Sequence, residues 1–145
     1  EDIFDYIPPQ KTNQIFTPKW VVKDMVDRLE KENPGCFDNP TKTFADLYMK
    51  SGMYIAEIVK RLYQSETIKR IYPDSAERLN HIFEKQVFGA APTEIIYRIT
   101  LAYLLGFSEE ISINKHNIKL CDTLEYAKNG DFEDMLKNLF ERPSE

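Results

Sequence analysis

Stretches in which apolar residues recur every three or four positions alternate along this chain with short, continuous apolar runs, and the alternation sets the order of elements. The first periodic stretch is FTPKWVVKDMVDRLEKE. Thr17 can cap a helix there, Pro18 suits the first helical position, and Trp20, Val21, Met25, Val26 and Leu29 form the apolar face. NPGCFDNPTKT follows, with two Asn-Pro pairs and a glycine, and predicts a loop. TFADLYM then predicts a short buried strand, and SGMYIAEIVKRLYQ a helix through Ile55, Ile58, Val59 and Leu62. Ser65 can cap a short turn that ends before Pro73, and DSAERLNHIFEKQ predicts another amphipathic helix through Leu79, Ile82 and Phe83. QVFGAA predicts a second strand. TEIIYRITLAYLLG is apolar around most of its circumference, so a deeply buried helix is expected, capped by Thr93 and stopped at Gly106. NIKLCD predicts a third strand. NGDFEDMLKNLFERP closes with a helix capped by Asp131 and carrying Phe132, Met135, Leu136, Leu139 and Phe140 on one face.

Three strands separated by helices imply parallel pairing with right-handed crossovers: an α/β, helix-rich fold holding the first half of a doubly wound sheet. In such a sheet ligands sit beyond the carboxyl ends of the strands. Position therefore nominates the segment from Asp46 to Gly52. A dinucleotide site would want several glycines for the backbone to approach a pyrophosphate; this turn has Gly52 alone, and no P-loop is present. A ligand without phosphate, with an adenosine and a charged amino-acid tail, relaxes that demand to one close approach at Gly52.

Composition narrows the classes. The chain has 145 residues, 42% hydrophobic and 30% charged, which suits one folded domain. Its net charge of -5 gives no overall electrostatic footprint for nucleic acid. Cys36 and Cys121 form no CxxC pair, so neither a disulfide framework nor a zinc site is suggested, and a reducing cytoplasm fits. His81 and His116 have no partner at ligand spacing, so no metal is expected. No apolar run reaches the ~18–20 residues of a membrane span. KRLYQSETIKR gathers four basic residues, read as a solvated helix face rather than a DNA groove.

NQIFTPKWVVKDMV, FADLYMKSGMYIAEI, VFGAAPTEIIYRITLAYLLG and IKLCDTLEY, in that order, resemble the N-terminal half of an adenine-N6 DNA methyltransferase, nearest to the gamma-type enzymes of restriction-modification systems. The likeness runs from about Asn13 to Tyr126. It implies a Rossmann-like fold that binds S-adenosylmethionine. By this resemblance Phe16, Thr17 and Pro18 lie against the methionine part of the cofactor. Asp46, Lys50, Ser51 and Gly52 correspond to the first strand and its Asp-Pro-x-x-Gly-x-Gly turn, and Asp122 is the acid beside the adenine amino group. Two positions depart from the pattern: Lys50 replaces the first glycine, and Ala91 replaces the acid that commonly holds the ribose hydroxyls.

The family's acceptor turn, an Asn, Asp or Ser followed by Pro-Pro and an aromatic, is not in the sequence; YIPPQ lacks both flanks and precedes the first helix. The resemblance therefore implies that residues 1–145 are the cofactor-side part of a larger enzyme, with no catalytic residue of their own and DNA gripped by the remainder. Each nominated residue also has a plain structural role open to it. Thr17, Asp46 and Asp122 are good caps, Gly52 suits any tight turn, and Tyr97, Tyr103, Phe132 and Phe140 fall at core spacing. A methyltransferase-like module without cofactor, serving a structural or DNA-positioning role in a restriction enzyme, is the alternative reading.

Overall fold

The computed structural model describes residues 18–50, 52–105 and 113–140. Thr17 as a cap and Gly106 as a stop fall outside them. The first helix, α1, spans Lys19–Glu32, and a 3₁₀ turn at Cys36–Asp38 interrupts the expected loop. Strand β1 is Phe44–Asp46, and α2 is Met53–Gln64, followed by α3 (Glu66–Ile71) and α4 (Ser75–His81). The chain leaves α4 through a π turn at Ile82–Gln86 into β2 (Val87–Ala91), then α5 (Glu94–Leu105), β3 (Asn117–Leu120), α6 (Thr123–Lys128) and α7 (Phe132–Leu139).

The three strands pair in parallel in the order β1-β2-β3, with Asp46 opposite Gly89 and Ala91 opposite Leu120. This is the helix-rich, Rossmann-like α/β arrangement that the alternating pattern implies. Parallel neighbours require crossovers, and the helices between strands supply them.

The core gathers where the periodicity is strongest. On α2, Ile55, Ile58, Val59 and Leu62 are fully buried, joined by Ile68, Ile82, Phe83, Val87 and Ile118 from the elements around them. Ser65 caps α3, accepting a hydrogen bond from Ile68 N at 3.2 Å and donating to Asp38 Oδ1 at 2.6 Å. Asp74 caps α4 through Glu77 N at 2.9 Å, and Thr93 caps α5 through Ile96 N at 3.3 Å. Buried Gln86 donates to the carbonyls of Asn39 and Lys42, both at 2.9 Å, and so ties the segment before β1 to the segment before β2.

Several expectations are corrected. The buried stripe of α1 is Val22 and Val26, with Leu29 half-buried beside them, whereas Trp20 and Met25 are exposed at 71% and 47%. The stripe is rotated because α1 packs on α2 through its Val22 side. Pro18 stands one residue before the helix, and its carbonyl accepts from the amides of Val21 and Val22. The first strand keeps only three of its seven expected residues, since Asp46 turns back to accept from Tyr48 N. The helix through Phe83 is continuous but widens to a π turn at Ile82.

Helix α5 buries only Ile96, Thr100 and Leu104; no described element covers Ile95. Asp131 makes no side-chain cap, because its backbone (φ -99°, ψ 18°) departs from the extended geometry a cap needs. Arg61, expected on a solvated face, instead reaches Asp27 of α1 at 2.7 Å and Glu57 at 3.0 Å. Helix α6 was not expected at all.

Candidate binding cleft at the carboxyl edge of the sheet

Because all three strands run the same way, the segments leaving β1, β2 and β3 emerge on one edge, and two backbone hydrogen bonds and one from a side chain stitch them together there. Met49 N donates to Ala90 O at 2.9 Å, Cys121 N to Ala91 O at 2.8 Å, and Thr123 Oγ1 to Leu47 O at 2.5 Å. The fully buried Met49 side chain lies over Gly89, where a Cβ would come within 2.5 Å of Sδ. A glycine in β2 is thus what lets the turn after β1 pin itself to the sheet.

Beside this anchored turn is a cleft of ≈ 320 Å³. Helix α1 contributes Val22 and Met25, β1 contributes Ala45 and Asp46, the turn contributes Leu47, Tyr48, Lys50 and Gly52, and α2 contributes Tyr54. One wall is apolar and aromatic, and the polar side is an acid and a base. The volume lies at the lower end of the range for small-molecule sites.

Asp46 Oδ1 accepts from Tyr48 N at 3.2 Å. Burial pushes its carboxyl pKa up, and the Tyr48 hydrogen bond and the Lys50 charge only partly oppose that. Burial likewise raises Tyr54, with the Asp46 charge adding to the effect. A desolvated acid beside an apolar wall is suited to receive a cation or a hydrogen-bond donor.

Gly52 precedes α2 in the left-handed region (φ +80°), and its carbonyl accepts the first helical hydrogen bond, from Ala56 N at 2.9 Å. A Cβ there would lie 2.7 Å from Thr100 Cγ2 and 2.8 Å from its Oγ1. Besides the close approach of a ligand that the sequence implied, the absent side chain makes room for Thr100 of α5. Gly52 lines the cleft, and both its left-handed backbone and the Thr100 side chain behind it favour glycine there.

Of the nominated residues, the structure brings Asp46, Lys50 and Gly52 into one cleft. Phe16, Thr17 and Ser51 lie outside the described residues. Pro18 is exposed at the start of α1. Ala91 is fully buried in the sheet, and Asp122, on the same edge, caps α6 by accepting from Leu124 N at 3.2 Å; neither lines the cleft. Tyr48 lines it from within the nominated Asp46–Gly52 segment, and Val22, Met25 and Tyr54 line it without having been nominated. The available signal was proximity, since Tyr54 stands two positions after the Asp46–Gly52 segment.

A larger open groove of ≈ 610 Å³ runs between α1 and α2, but the charges of Arg61, Glu30 and Glu57 in it are spent on each other. Among the described residues no cluster of three or more His, Cys, Asp or Glu side chains could hold a metal ion, and no helix is long and apolar enough to cross a membrane.

No protein-family profile matches the chain. Over 107 residues it is 29% identical to an uncharacterized adenine-specific methylase of Mycoplasma pneumoniae, a match covering 72% of this chain and 25% of that protein. The chain spans about a quarter of the length of the relative it matches. This distant similarity points to a methyltransferase, in agreement with the fold.

Proposed function

We propose that the chain is the cofactor-binding portion of a larger DNA adenine-N6 methyltransferase of the gamma type, working in the cytoplasm as part of a restriction-modification system. The observation that carries this reading is the cleft at the end of β1, which combines a desolvated acid, an aromatic wall and a left-handed glycine turn on the ligand-binding edge of a parallel sheet. The similarity to an uncharacterized adenine-specific methylase supports reading the cleft as that of a methyltransferase.

The residues present fit S-adenosylmethionine. Asp46 offers a carboxylate to its cationic end, and Tyr48, Tyr54, Val22 and Met25 offer apolar surface to the rest. When bound, this cofactor supplies a methyl group already activated by a positive sulfur, so the protein's task is positioning. Holding the adenine falls to residues of the larger protein, which also carries the contacts to DNA. Phe16, Thr17 and Ser51 complete the cofactor's surroundings in this reading, and Asp122, on the same edge beyond the cleft, stands toward its adenine end.

A second reading is favoured by one feature: Ala91, buried in the sheet, offers no acceptor for ribose hydroxyls, as a module that has abandoned its cofactor could afford. Transfer of labelled methyl from S-adenosylmethionine to adenine-containing DNA by the intact protein separates the two. The methyltransferase reading expects labelled N6-methyladenine; an intact protein that neither binds the cofactor nor labels DNA would leave the structural module standing.

A further inference from the structure

The cleft contains one carboxylate and one ammonium, Asp46 and Lys50, four residues apart on the same anchored turn. Lys50 is close enough to lower the pKa of Asp46, yet no direct ion pair joins them among the described residues. Asp46 is fixed by Tyr48 N, while Lys50 is exposed and carries its charge on a flexible stem. Two opposite charges that share a cleft without neutralising one another complement a ligand that bears both signs a short distance apart. An α-amino acid group is such a ligand.

We propose that Lys50 receives the α-carboxylate of the ligand's amino-acid tail while Asp46 receives its α-ammonium, making Lys50 the residue by which this cleft selects an amino-acid-bearing cofactor. The assignment deepens the S-adenosylmethionine reading and rests on it. It also accounts for a lysine in a cleft meant for a cation, because the carboxylate places a negative charge between the lysine and the positive sulfur. Glycine at this position could offer only its backbone amide.

The test compares S-adenosylmethionine with decarboxylated S-adenosylmethionine by calorimetry on the intact protein, native, Lys50→Met and Lys50→Arg. Since Lys50 is exposed, both variants should fold, which thermal melting verifies. The native protein is expected to favour the carboxylate-bearing ligand by about tenfold or more, the worth of a charge-assisted hydrogen bond. Lys50→Met should reduce that preference to under about threefold, and Lys50→Arg should keep most of it.

Undiminished preference in Lys50→Met overturns the proposal while leaving the cofactor reading intact. If the native protein binds neither adenosyl ligand, titration with L-methionine decides. Methionine binding that is lost in Lys50→Met supports the charge pair and removes the adenosyl cofactor; no binding of any of the three overturns both.

Discussion

An aspartate that loses its water without gaining a cation in direct contact, as Asp46 does, is more easily protonated in the folded chain than in the unfolded one. Its folded pKa lies above the unfolded value of about 3.9, so the folded state binds more protons and stability falls as pH rises through that window. The penalty persists at neutral pH. Asp46→Asn keeps the acceptor for Tyr48 N and removes the charge. It is expected to raise the melting temperature at pH 7 and to leave it unchanged below about pH 3.9, as thermal melts across that range would show. In the intact protein the same substitution should weaken binding of S-adenosylmethionine, the trade expected of a group kept for a ligand.

Gly52 matters to the fold as well as lining the cleft. Gly52→Ala meets both the left-handed backbone, at about 1–2 kcal/mol, and overlap with Thr100, at about 1–3 kcal/mol. Adding Thr100→Ala should return the overlap and leave the backbone cost, a coupling that urea denaturation of the single and double variants measures. Additive losses would contradict the contact. The sequence marked Gly52 for close approach to a ligand but could not show its contact with Thr100, 48 positions away.

At the scale of elements, what could be read in advance was what the local pattern determines alone. Ile55, Ile58, Val59 and Leu62 declared α2 and its buried face, and Ser65 declared the cap of α3. Ser65→Ala is expected to cost about 0.5–2 kcal/mol, toward the upper end because the hydroxyl also holds Asp38 of the 3₁₀ turn. Chemical denaturation of Ser65→Ala against Asp38→Ala would show whether the two losses are shared.

The misreadings have physical causes. On α1 the sequence offers apolar residues over a wide arc, and only packing on α2 selects Val22 and Val26 while leaving Met25 to the cleft. On α5 a nearly all-apolar circumference suggested full burial, yet only the stripe against β2, β3 and α2 is covered. Helix α6 escaped because TLEYAK has one buried residue, Thr123, and thus no apolar period to detect.

For the whole molecule, the alternation of strands and helices was enough to imply a parallel sheet and, from it, a common edge for the ends of β1, β2 and β3. The candidate site was legible to the extent that it is contiguous: Asp46, Lys50 and Gly52 lie within one turn. Its apolar wall was not, since Val22 and Met25 come from a helix whose orientation depends on tertiary packing. Asp122 and Ala91 reach the right edge but have other neighbours, which only the register of the sheet reveals. The Thr123–Leu47 hydrogen bond shows how firmly that edge is drawn together, joining residues 76 positions apart.

The claim that this edge binds S-adenosylmethionine is tested most directly by amide hydrogen exchange on the intact protein with and without the ligand. Protection should appear in the segment from Asp46 to Tyr54 and around Val22 and Met25 of α1, with the Arg61 groove unchanged. Unaltered exchange at Asp46–Tyr54 under saturating ligand, or protection confined to the Arg61 groove, would contradict it.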